Sequence, residues 1–109
     1  MTDTRQAVDK LAALAQESRL RIFRLLVEAG EEGLNATAIA EALDLPPATL
    51  SFHVAHLARV GLVNSRQESR YIFYSANYPA MDDLIAYLAK NCCQGEACLP
   101  KTATVNPLL

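Results

Sequence analysis

Three cysteines, Cys92, Cys93 and Cys98, fall within the stretch NCCQGEACLP, and the sequence holds no others. Thiolates favour soft metals and metalloids. Three of them suit trivalent arsenic or antimony, which keep a lone pair and bind three ligands as a trigonal pyramid. Zinc or cadmium wants a fourth ligand, for which Glu96 or water would serve. Oxidation is the other thiol chemistry. It needs thiolate, whereas the negative end of a helix dipole favours the protonated form, and Lys90 opposes that only in part. Neighbouring positions on a helix point about 100° apart, so Cys92 and Cys93 share one ion only if the helix ends or distorts there. Gly95 permits a reversal of the chain that brings Cys98 back. A site within one chain is feasible, and one bridging two chains stays open. Two of the three thiols would suffice for a methylated trivalent arsenical.

The composition sets the frame for this cluster. A chain of 109 residues predicts one domain, here residues 1–98 with the cysteines included, followed by a loose tail at 99–109. Half the residues are hydrophobic (51%) and 20% are charged, which fits a globular protein. MTDTRQAVDK has no apolar signal core, and the uncharged apolar runs fall far short of about 20 residues, so neither export nor a membrane span is expected. A cytoplasmic, reducing setting follows, in which clustered cysteines more often bind metal or sense than form structural disulfides. The formal charge is −2, but from Leu45 to Tyr78 three arginines stand against Glu68, a local +2, so the rest carries −4. A locally basic segment on an acidic protein is compatible with a DNA-facing surface. There is no phosphate loop, no paired carboxylates placed for a cleft and no nucleophile–base spacing, so no enzyme is predicted.

Periodicity predicts the elements that position these residues. RQAVDKLAALAQ, residues 5–16, has helical spacing, and Ser18 is a candidate cap for a second helix, RLRIFRLLVEAG, stopped by Gly30. EEGLN reads as a loop, with Asn35 capping a short helix, ATAIAEAL. DLPP is a turn, and Pro47 fits the first turn of the next helix, ATLSFHVAHLARVG, which ends at Gly61. LVNSRQ and RYIFYS alternate as a β-hairpin around Glu68-Ser69, and YPAMDDLIAYLAKNCC is a last helix. The fold class is therefore mainly α with a β-hairpin, in the order ααααββα. Two short helices joined by a tight turn and followed by a hairpin form a winged helix-turn-helix, whose second helix fits the DNA major groove.

LAQESRLRIFRLLVEAG, ATLSFHVAHLARVGLV and RYIFYS together resemble the ArsR/SmtB family of metal-responsive bacterial repressors, in order and spacing over residues 8–90. The resemblance implies a homodimer held by the first and last helices, a recognition helix at 48–60 and a wing at 64–72. The residues agree with that reading. Ala48, Thr49, Ser51 and Phe52 lie on the first turns of the recognition helix, where free backbone N–H groups can meet phosphates. Thr49 and Ser51 can hydrogen-bond base edges or phosphate, and Ala48 and Phe52 can touch a thymine methyl. His53 is one step further and is expected to face DNA. Arg66 and Arg70, placed on the two wing strands, would bind phosphate or probe the minor groove.

His53 and His56 share a helix, but no third ligand stands near them in sequence, so metal is not assigned there. The family's arsenic site is commonly a cysteine pair in the helix before the recognition helix, where ATAIAEAL has none. Its zinc-type site uses His and Asp/Glu on the last helix, where Asp82 and Asp83 stand without histidine. What remains resembles arsenical-responsive members with C-terminal cysteines, which implies As(III) or Sb(III) as inducer at Cys92, Cys93 and Cys98. The expected partner is double-stranded operator DNA with an inverted repeat, bound by a dimeric repressor that ligand binding releases. Response to cadmium, zinc, lead or thiol oxidation, and a winged-helix interaction or metal-buffering protein without operator specificity, are the alternatives.

Overall fold

Four of the five α-helices begin where a side chain satisfies a free backbone N–H group, and the fourth in order opens on a proline instead. The computed structural model describes residues 2–95, so Cys98, Glu96 and the expected tail at 99–109 lie outside the described residues. Helix α1 spans Thr4–Leu14, with Asp3 and Gln6 forming a reciprocal capping box. Helix α2, Glu17–Ala29, is capped by the Gln16 carboxamide, which accepts from the Arg19 N–H at 2.9 Å. The expected cap, Ser18, instead lies inside the first turn. Helix α3, Ala36–Leu43, starts at the expected Asn35 cap. Helix α4, Pro47–Arg59, carries Pro47 in its first turn, and α5, Tyr78–Ala89, is capped by Asn77.

Strands β2 (Val63–Glu68) and β3 (Tyr71–Ala76) pair antiparallel from Val63↔Ala76 to Glu68↔Tyr71. The turn is therefore Ser69-Arg70, one residue later than predicted, and Ser69 takes the left-handed conformation (φ 61°) that such a two-residue turn demands. A two-residue strand β1, Leu34–Asn35, pairs with β3 through Leu34↔Tyr74, giving sheet order β1-β3-β2. The sequence pattern predicts a loop there, since two residues carry no readable alternation. The observed order is thus αα, β, αα, ββ, α, the predicted winged helix-turn-helix with one short strand added.

The core lies where α2, α3 and α4 meet the base of the hairpin. Ile22 and Leu26 from α2, Ile39 from α3, Leu50 and Leu57 from α4, and Leu62 before β2 are its largest fully buried side chains. Removing any one of them to alanine would cost about 2–5 kcal/mol by lost burial and cavity formation. Tyr78 ties the start of α5 to the end of α2: its hydroxyl donates to the Val27 carbonyl at 2.9 Å. Asn77 adds a bond from its side-chain N–H to the Gly61 carbonyl at 2.8 Å.

Gly33 is the point of closest backbone approach. A Cβ there would sit 2.0 Å from the Tyr74 carbonyl oxygen, and φ is +74°. A backbone atom within a paired strand cannot give way as a side chain would. Gly33→Ala is expected to destabilise by about 2–4 kcal/mol. Gly30→Ala, whose Cβ meets nothing within 4 Å, should cost less, about 1–3 kcal/mol for its glycine-only backbone (φ 87°, ψ −174°). Urea denaturation of the two variants checks the ordering, and equal losses would refute it.

Candidate nucleic-acid interface and cysteine cluster

Helix α4 has two faces of opposite character. Leu50, His53, Val54 and Leu57 are buried, and this inward stripe fixes the rotation of the helix. Ala48, Ser51, Phe52 and Ala55 are exposed on the other side, with Thr49 half-buried at the margin. Phe52 is the largest of these and is 65% exposed. Pro46, before the helix, supplies no side-chain cap to its first turn.

His53 does not face outward as expected: it is only 9% exposed. One residue past Phe52 the helix has turned by about 100°, which carries His53 to the inner face beside Val54. There its Nδ1 lies 3.4 Å from the Arg19 guanidinium, whose Nε donates to the Ala13 carbonyl at 2.6 Å. A guanidinium only donates, so Nδ1 is the acceptor and the ring proton resides on Nε2. Burial, and then the Arg19 charge, hold the His53 pKa below its usual value. His56 is lowered in the same direction by burial, then by Arg19, Arg59 and His53. Arg19 thus joins the end of α1 to α4, a role that sequence reasoning missed because the partners lie 6 and 34 residues away.

On the wing, Arg66 lies on β2, but its guanidinium is engaged. It donates to Glu68 Oε2 at 2.7 Å and to the Glu32 carbonyl at 2.9 Å, and it stands 5.0 Å from the centre of the Phe73 ring. Arg70 lies not on a strand but at the tip of the hairpin, where it is exposed. Tyr71 and Ile72, which the sequence reading did not single out, are exposed beside it. Alternation alone cannot tell the solvent face of a hairpin from one that meets a partner.

Helix α5 ends at Ala89, before the cysteines. Asn91 (φ 58°) and Cys93 (φ 56°) take left-handed backbone conformations, and Cys92–Gly95 form a short 3₁₀ turn. This breaks the helical divergence of adjacent side chains. It places Cys92 Sγ and Cys93 Sγ 3.3 Å apart, with Cys93 disulfide-bonded. The helix thus stops at Ala89, four residues short of the predicted end at Cys93, because the left-handed backbone at Asn91 breaks it, while Cys98, the third expected ligand, lies outside the described residues. Among the described residues, no group of three or more His, Cys, Asp or Glu side chains is placed to hold a metal. The last turn of α5 is tied to the first turn of α1 by a short hydrogen bond between Tyr87 and Thr4 hydroxyls. Beside this junction α1 and α5 expose Val8 (51%), Ile85 (54%) and Leu88 (59%).

Two packed helices with a hairpin beside the second define a winged helix-turn-helix protein. A family described as a helix-turn-helix domain matches residues 14–66. The transcriptional activator HlyU of Vibrio cholerae is 35% identical over 89 residues, spanning 82% of this chain and 80% of HlyU. Its solved structure superposes with a TM-score of 0.67 at 34% identity, covering 84% of this chain and 96% of that one. A putative arsenical resistance operon repressor ArsR of Halobacterium salinarum is 36% identical over 67 residues, 62% of this chain and 51% of the relative. The homodimeric winged helix-turn-helix domain of a possible ArsR-family regulator from Mycobacterium bovis has a TM-score of 0.64 at 25% identity, covering 92% of this chain and 97% of that one. The chain belongs to the ArsR-type family of DNA-binding transcriptional regulators. No helix among the described residues is long and apolar enough to cross a membrane.

The environment of His53 sets a pH dependence. Its folded pKa lies below the ordinary 6.5, so the unfolded chain takes up protons first as pH falls. Stability is fully present above about pH 6.5 and is lost as pH drops toward the folded pKa. Urea midpoints at pH 7.5 and 5.5 should fall less for His53→Gln than for the native protein. An identical fall would show that this ring does not contribute.

Proposed function

We propose that this chain is a homodimeric transcriptional repressor that leaves its operator when trivalent arsenic or antimony binds the cysteines after α5. The observation that carries the reading is the 3.3 Å separation of Cys92 and Cys93 sulfurs. In the reduced protein, adjacent sulfurs brought this close by the turn can share one soft ion. Arsenous acid would exchange one hydroxide for each thiol, forming an As–S bond and releasing water. Cys93 is disulfide-bonded here, so the metalloid site is that of the reduced protein, with Cys98 as the proposed third ligand. The H. salinarum relative, named a putative arsenical resistance operon repressor, supports the choice of inducer.

Dimerisation is proposed through α1 and α5, whose exposed Val8, Ile85 and Leu88 would otherwise meet water. The homodimeric M. bovis relative supports it. Each protomer then presents one α4 to one half of an inverted repeat, with Thr49, Ser51 and Phe52 toward the bases and Arg70 toward the backbone. The cysteine turn follows directly on the interface helix, so closing it around an ion changes the spacing of the two reading heads. Allosteric couplings of about 1–3 kcal/mol give roughly 5–150-fold weakening of operator binding.

A second reading, release by thiol oxidation, is favoured by the disulfide at Cys93. In that case two thiols lose two electrons and two protons to an oxidant and form the bond. The two are separated by fluorescence anisotropy on operator DNA with the fully reduced protein. Arsenite or antimonite, in the presence of a non-thiol reductant, should weaken binding at least about fivefold, and Cys92→Ser should bind DNA normally but fail to respond. Release by oxidant alone would favour the second reading. Ile85→Glu should convert the dimer to monomer in light scattering and abolish tight operator binding; an intact dimer would refute the proposed interface.

A further inference from the structure

Every side chain of α4 from Pro47 to Ala58 lacks the means for bidentate base recognition: the segment holds no Arg, Lys, Asn, Gln, Asp or Glu. Those residue types make the two-pronged hydrogen bonds that distinguish guanine, adenine and cytosine in the major groove. The outward face instead runs Ala48, Ser51, Phe52, Ala55, Ala58, with Arg59 only at its end. From this we infer that the helix reads thymine C5-methyl groups, through the exposed ring of Phe52. The inference rests on the DNA-binding reading above and adds its base specificity.

Three observations support that occupant over others. Phe52 is 65% exposed although it is a large apolar side chain, and it sits on the second turn of the helix that the fold aims at the groove. Its ring is steadied rather than loose: His53 meets it edge-on, with centroids 5.4 Å apart and planes at 68°. His53 is itself buried and held against Arg19. Ala48 and Ala55, four residues before and three after on the same face, keep their side chains short, so the backbone can approach the base edges closely. Of the four base pairs, only those with thymine present an apolar group in the major groove. Ser51 and Thr49 hydroxyls bond to either donors or acceptors and tolerate any neighbour, so the discriminating contact is the ring.

The test uses the full chain and an operator selected from random duplex DNA. Each thymine of the selected site is replaced by deoxyuridine, which removes only the methyl, symmetrically in both half-sites. Anisotropy then reads the affinity. One thymine per half-site should lose about fourfold per methyl, about fifteenfold for the pair. Phe52→Ala should bind uracil and thymine operators equally, and Phe52→Leu should retain part of the difference. Because the side chain is exposed, neither substitution threatens the fold. A selected operator with no thymine in the recognition-helix contacts, no methyl effect at any position, or the same effect in Phe52→Ala would overturn the inference while leaving operator binding intact. Failure to select any preferred sequence would overturn the regulator reading as well.

Discussion

The buried stripe of α4 is the constraint on which the rest depends. Leu50, Val54 and Leu57 must leave water, and they do so against Ile22, Leu26 and Ile39. At about 1.5–3 kcal/mol per fully buried aliphatic side chain, this packing outweighs any single surface contact. It fixes not only where the helix lies but how it is rotated about its axis. The opposite face is then outward by geometry, and the identity of its residues becomes a matter of recognition. Ser51 and Phe52 face outward because their neighbours at 50, 53 and 54 face inward.

The same rotation separates His53 from the DNA-facing role expected of it. His53 is drawn inward and engages Arg19, which also accepts the task of bonding the Ala13 carbonyl near the end of α1. One guanidinium thereby connects the helix that leads to the apolar α1–α5 surface with the helix that faces DNA. The wing has its own internal anchor: Arg66 bridges Glu68, the Glu32 carbonyl and the Phe73 ring. An arginine so engaged stiffens the hairpin, while Arg70 at the tip keeps the exposed charge. The surface ion pair itself contributes little to stability, with exposed pairs worth about 0–1 kcal/mol.

Much of the architecture is legible in local chemistry. Gly30 and Gly61 end helices, Asn35 caps one, Pro47 opens another, and the alternation of Tyr71–Ser75 reads as strand. These signals act over a few residues, so sequence exposes them. The misreadings share a different cause. Ser18 lost the capping role to Gln16, since either residue can accept from a first-turn N–H and packing of α1 against α2 decides which. Strand β1 exists only because Gly33 lets the chain pass beside Tyr74, a contact between segments some forty residues apart.

What the amino-acid sequence determined by itself is the order of elements, the placement of a helix-turn-helix with a wing, and the concentration of sulfur toward the C-terminus. Each follows from periodicity, capping and turn chemistry, all properties of neighbours along the chain. Only the tertiary structure decided that His53 turns inward, that Arg66 is occupied by Glu68 and Glu32, and that adjacent cysteines meet at 3.3 Å. These depend on helix rotation, on contacts between distant segments, and on left-handed backbone at Asn91 and Cys93, none of which a residue's neighbours in sequence specify.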